Sequence, residues 1–116
     1  MEYRKGSHTV YNIQYHFVWV TKYRYHVLAG EVKLRVREII RKICQQYDLL
    51  IEQGHVSKDH VHILVLAPTH LSASQIMQKI KGRSSRMLQQ EFPHLKKHYW
   101  SCIFGHVVTS VLLWVR

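Results

Sequence analysis

His60 and His62 flank a single valine inside the run KDHVHILVLAPTH, residues 58–70. On a strand, residues two apart point to the same side. The two imidazoles therefore project together, while Val61, Ile63 and Val65 project the other way. Their Cβ atoms are expected about 7 Å apart, twice the strand rise. Neutral imidazole nitrogens can converge from there on one divalent cation at about 2.1 Å. Two such ligands leave coordination positions for a substrate oxygen. A pair of exposed strand histidines with no metal has the same spacing. Asp59 beside them adds one carboxylate.

Two basic segments could hold phosphate. KGRSSR combines Lys81, Arg83 and Arg86 with the hydroxyls of Ser84 and Ser85. Arginine pairs bidentately with phosphate, and serine adds donors. A solvated basic helix face is the alternative for such a charge run. TKYRYH sets Lys22 and Arg24 beside Tyr23 and Tyr25. Unpaired bases stack on aromatic rings at about 1–3 kcal/mol each; packing of the tyrosines into a core is the alternative.

Composition points the same way. Lys and Arg total 17 against 7 Asp and Glu, a net charge of +10, which favours a polyanionic partner. The 116 residues, with 47% apolar content, suit one domain with one core spanning residues 1–116. Cys44 and Cys102 have no metal-motif spacing and read as reduced thiols, which predicts a cytoplasmic location. The N-terminus MEYRKGSHTV lacks the apolar core of a signal peptide. The longest apolar stretch, VVTSVLLWV, is too short to span a bilayer, so no membrane partner is expected.

The elements that must position these groups follow from periodicity. Tyr11, Ile13, Tyr15, Phe17 and Trp19 alternate with Asn12, Gln14, His16, Val18 and Val20, a strand with the aromatics on its core face. Val32, Val36, Ile39, Ile40, Ile43 and Tyr47 form the stripe of a helix over 31–47. Residues 49–56 predict a second strand, bent near Gly54, and 60–66 a third, ended by Pro68. A second helix begins at Ser72, whose spacing to Gln75 is that of a capping box. Gly82 is expected to kink or break it, and Pro93 stops it. A last apolar segment suits a fourth strand. The order predicts an α+β fold, a ferredoxin-like split βαβ sandwich. Its antiparallel sheet would carry two helices on one face and leave the other face free.

HFVWVTKYR, VSKDHVHILVLAP, IKGRSSRMLQQEFPHLKK and the pair Tyr99–Trp100 resemble, in uninterrupted order over about residues 8–102, the single-tyrosine HUH transposases of the IS200-like family. The resemblance implies that His60 and His62 are metal ligands for Mg²⁺ or Mn²⁺. It implies metal-dependent transesterification of single-stranded DNA ends through a 5′-phosphotyrosine, with DNA hairpins bound beside the cleaved strand and two copies paired as a homodimer. It assigns Lys22, Tyr23, Arg24, Lys81, Arg83, Ser84, Ser85 and Arg86 to DNA. A non-catalytic nucleic-acid-binding module of the same fold is the alternative function. A small hydrolase using the two histidines with water is a third, weakened because only Asp59 lies near enough in sequence to act as a base.

After Tyr99–Trp100 the sequence departs from the family pattern. It reads SCIFGHVVTSVLLWVR, without the family's helix bearing the nucleophilic tyrosine and a further metal ligand. Deleting one C from a codon run for Cys-His-Phe-Trp-Ala-Arg-Gly-Tyr-Phe gives Cys-Ile-Phe-Gly-His-Val-Val-Thr-Ser, the residues from Cys102 to Ser110. The tail is therefore expected to be a frameshifted family C-terminus, with no catalytic tyrosine and a weakly held metal.

Overall fold

The computed structural model describes residues 11–97 and 104–113, with side chains from 13 to 95. Strands β1 (Tyr11–Thr21), β2 (Leu50–Val56), β3 (His60–Pro68) and β4 (Phe104–Leu113) and helices α1 (Gly30–Gln46) and α2 (Ala73–Glu91) follow the order β1-α1-β2-β3-α2-β4. The sheet runs β2-β3-β1-β4, antiparallel at every pairing. This is the ferredoxin-like arrangement that the sequence predicts.

Alternation in β1 and β3 decides what faces the helices. Tyr15, Phe17 and Trp19 are buried, with adjacent ring centroids 5.5 Å apart. Val61, Ile63 and Val65 join them from β3, and Val36, Ile39, Ile43, Ile76, Ile80 and Leu88 close the core from the helices. The even-numbered residues of β1 and β3 are left on the opposite face.

Helix ends carry their own chemistry. Gly30 opens α1 at φ 57°, a conformation glycine adopts without a Cβ clash. The helix closes when Leu49 N–H donates to Cys44 O at 2.8 Å and Asp48 N–H to Gln45 O at 3.3 Å, with Asp48 left-handed at φ 57°. At the start of α2, Gln75 N–H donates to Ser72 Oγ at 3.2 Å and Ser72 N–H to Gln75 Oε1 at 2.9 Å, so the capping box forms as expected. Arg35 ties the helix layer together through Glu91 at 2.7 Å.

Two local expectations are corrected. α2 runs unbroken through Gly82, which sits on its exposed face with no other atoms near. The cost of glycine in a helix, about 1 kcal/mol, is outweighed by Ile76, Ile80 and Leu88 anchoring both sides of it. β2 is irregular between Ile51 and Gln53, at Glu52, whereas Gly54 pairs regularly with Ile63. Glu52, at the irregularity, accepts a hydrogen bond from Gln14 Nε2 at 2.5 Å, two strands away. Tyr99, Trp100 and Cys102, the N-terminal segment and the side chain of Tyr11 lie outside the described residues.

Candidate metal and nucleic-acid site

His60 and His62 both emerge on the sheet face away from the helices, as their spacing predicts. In register, β1 places Val20 opposite His60 and Val18 opposite His62. β2 places His55 opposite His62. His106 of β4 stands in register with Val20. The open face thus gathers histidines from both β2 and β3.

The pairing within that cluster differs from the expected one. His62 meets His16, not His60: the Nε2 atoms of His16 and His62 face each other, with ring centroids 4.3 Å apart at 82°. His16 lies two positions along β1 from Val18, the direct partner of His62, within side-chain reach on the same face. Burial pushes His62 below the ordinary imidazole pKa, and His16, His55 and His60 push the same way. Its neutral form, the one that binds metal, is favoured.

His60 is held separately. Its Nδ1 lies 3.0 Å from Asp59 Oδ1. Arg24 places Nε at 3.2 Å and Nη2 at 3.1 Å from Asp59 Oδ2. The hydrogen bond from His60, then Arg24, holds the Asp59 carboxyl below its usual range, against an opposing effect of burial. The guanidinium of Arg24, expected to contact DNA, therefore faces a protein carboxylate.

The donor chemistry of this face fits a divalent cation with few protein ligands. The donors it offers are imidazole nitrogens: those of His62, whose neutral form burial favours, and Nε2 of His60, which has no hydrogen-bond partner among the described residues. Among the described residues, no group of three or more His, Cys, Asp or Glu is arranged to hold a metal ion. The site can supply paired imidazoles and open positions.

The basic segments separate. Lys22, Tyr23 and Arg24 form a 3₁₀ turn at the end of β1. Tyr23 and Tyr25 are 63% and 43% exposed, which rules out the core-packing alternative for their rings. Their centroids lie 5.5 Å apart, and Lys22 Nζ sits 5.3 Å from the Tyr23 ring. Lys81, Arg83 and Arg86 lie on the helix layer, across the sheet from the histidines. With Lys42, Arg83 and Arg86 border a groove of about 420 Å³ between α1 and α2. Arg83 donates to Gln46 Oε1 at 2.5 Å, and Lys79 Nζ lies 4.4 Å over the Tyr47 ring.

Ser84 and Ser85 are corrected as phosphate donors. Both are buried. Ser84 Oγ donates to Ile80 O at 2.5 Å, one turn back, and Ser85 Oγ accepts from Gln89 at 3.3 Å. In KGRSSR the helical period sends the arginines outward and the serines into the core. His16 and His55 join the histidine face although the sequence singled out neither. The alternation of β1 already sets His16 opposite the aromatics, whereas the Glu52 irregularity hides the facing of His55.

The family model for IS200-like transposases matches residues 9–108. The chain belongs to the IS200-like transposase family. It is 36% identical over 100 residues to the ISDra2 transposase TnpA of Deinococcus radiodurans, covering 86% of this chain and 71% of that protein. It is 38% identical over 108 residues to the transposase for insertion sequence element IS200 of Salmonella typhimurium, covering 90% and 71%. The crystal structure of a Deinococcus radiodurans R1 protein described as a transposase superposes with a TM-score of 0.80 at 34% identity, covering 97% of this chain and 85% of that one. A REP-associated tyrosine transposase bound to a REP hairpin shares the fold, with a TM-score of 0.58 at 14% identity over 97% of this chain and 62% of that one. DNA transposition is therefore the functional class of this family member. No helix among the described residues is long and apolar enough to cross a membrane.

Proposed function

We propose that this chain binds hairpin-bearing single-stranded DNA ends and brings one strand across the histidine face, where a divalent metal serves transesterification. The observation that carries the reading is the placement of His60, His62 and His16 on the sheet face left open by the helices. His60 and His62 would hold Mg²⁺ or Mn²⁺, with His16 able to share the second imidazole's position. Such an ion, when bound, neutralises charge on phosphate oxygens and orients the scissile bond.

The rest of the chain's work is binding. Tyr23 and Tyr25 offer exposed rings to unpaired bases, with Lys22 beside them for the backbone. The groove bordered by Lys42, Arg83 and Arg86 suits the phosphates of a hairpin stem. A single-strand-binding module of the RNA-recognition kind would instead display aromatics on its sheet. Here Tyr15, Phe17 and Trp19 lie on the core side.

The chain would act as a homodimer. β2 and β4 each pair on one side only among the described residues. An unpaired strand edge is a template for a second copy. Sedimentation at high micromolar concentration should show a dimer; monomer alone would oppose this part of the reading.

The test of DNA binding is a salt titration of affinity for a hairpin-bearing single-stranded oligonucleotide. Log affinity should fall linearly with log salt, by about 0.7 per neutralised phosphate on a single strand. Affinity that ignores salt, or no affinity for any such DNA, would remove the reading.

A further inference from the structure

We infer that Asp59, braced by Arg24, is a positioning residue for His60: it holds the ring's proton on Nδ1 and presents the Nε2 lone pair on the open sheet face. The inference rests on the reading of that face as a metal site, and it assigns Arg24 a role other than DNA contact.

Hydrogen-bond chemistry carries the first step. An ionised carboxylate only accepts, so the 3.0 Å contact between His60 Nδ1 and Asp59 Oδ1 requires the proton on Nδ1. In a neutral ring Nε2 is then the acceptor, and it is the nitrogen free to bind a cation. A carboxylate behind a ligating histidine fixes ring orientation and raises ligand basicity.

Arg24 supplies the second step. Its Nε and Nη2 both reach Asp59 Oδ2, so the two carboxylate oxygens are divided between the arginine and the histidine. Arg24 is 70% exposed, and an exposed ion pair contributes little to stability by itself. Its effect here is geometric, because it prevents the carboxylate from rotating away from His60.

The backbone around Arg24 is built for that contact. Tyr23 and Arg24 both take left-handed conformations, φ 63° and 55°, which side chains other than glycine adopt at a cost. The turn is latched to the start of β3 by Thr21 N–H donating to Asp59 O at 2.8 Å, and Leu28 N–H donating to Lys58 O at 2.9 Å. Thr21 Oγ1 closes it by donating to Tyr25 O at 2.8 Å. The turn that exposes Tyr23 and Tyr25 is thereby the same piece of chain that orients His60. A base or phosphate engaging Tyr23 or Lys22 would load a segment joined to the ligand through Arg24 and Asp59.

The experiment uses the 116-residue chain, its Asp59→Ala, Arg24→Ala and Arg24→Lys variants, and His60→Ala for assignment. Long-range ¹H–¹⁵N spectra at pH 8, above the ordinary imidazole pKa of about 6.5, report which ring nitrogen of His60 carries the proton. Mn²⁺ alone is the binding probe, and circular dichroism checks folding. The parent chain should show His60 protonated on Nδ1. Asp59→Ala should return it to the Nε2–H form and weaken Mn²⁺ binding by about 10–100-fold. Arg24→Ala should weaken it less, and Arg24→Lys should recover part of that loss. A parent His60 already protonated on Nε2 overturns the inference, as does an Asp59→Ala variant with tautomer and affinity unchanged. If Asp59→Ala shifts the tautomer while His60→Ala leaves Mn²⁺ binding unaltered, the positioning role stands and the metal reading fails.

Discussion

His16 and His62 turn their Nε2 atoms toward each other across the two central strands. Two ring nitrogens in direct contact can share a proton, and a cation between them would need the rings to part. The sequence pairs His62 with His60 along one strand; the fold pairs it with His16 on the next. If a metal bridges the inter-strand pair, His16→Ala should weaken Mn²⁺ binding as His62→Ala does. Loss of affinity in His62→Ala with none in His16→Ala would confine the site to β3.

Arg83 and Arg86 should bind phosphates, and the serines between them should not. Arg83→Ala with Arg86→Ala is expected to flatten the salt dependence of DNA affinity by about 0.9 for each stem phosphate no longer neutralised. Ser84→Ala should leave that affinity unchanged and move stability by no more than about 1 kcal/mol, because among the described residues its hydroxyl bonds within its own helix, and alanine is the better helix former. A large loss of DNA affinity in Ser84→Ala would contradict its burial.

Cys44 should be inert while the protein is folded. Burial pushes its thiol up to about 12, from an ordinary value of 9.0. Iodoacetamide at pH 8, mapped by peptide mass, should leave Cys44 unmodified until denaturant is added. The folded pKa is raised, so the stability this thiol carries is full below pH 9.0 and drains as pH rises toward 12. A Cys44→Ala variant should lack that part of the alkaline loss. Rapid native labelling at Cys44 would show the helix–sheet contact to be open.

Much of this fold is legible in the sequence because burial follows simple periods. Tyr15, Phe17 and Trp19 alternate, and the Ser72–Gln75 cap is a local code; both are realised. The same alternation puts His60 and His62 on the open face. The contacts between strands are not legible. His16 with His62, Arg24 with Asp59, and the Gln14–Glu52 bond that accompanies the β2 irregularity all depend on register and turn geometry. Ser84 and Ser85 mislead because KGRSSR reads as one charged surface, whereas a helix turns neighbours by about 100°. Gly82 misleads because local propensity yields to packing on both sides.

A polypeptide of these 116 residues should form no denaturant-resistant adduct with labelled hairpin DNA and Mn²⁺. Covalent attack needs a tyrosyl oxygen in line with the phosphate beside the metal. Tyr15 is buried on the core side, and Tyr47 ends α1 in the helix layer across the sheet from the histidines. Tyr23 and Tyr25 belong to a turn flanked by backbone bonds to Lys58 and Asp59, just before β3, not to a helix aimed at the site. An adduct mapped to any tyrosine of this chain would contradict the assignment.

The central claim, that the open histidine face holds a divalent metal where a DNA strand is bound, is met most directly by Mn²⁺ electron paramagnetic resonance on the 116-residue chain. It should be measured with and without a hairpin-bearing single-stranded oligonucleotide, alongside His60→Ala and His62→Ala. The account predicts one weak Mn²⁺ site that tightens when DNA is present and is lost in either variant. Mn²⁺ binding that is absent from the parent chain, or equal in parent and both variants, would contradict it.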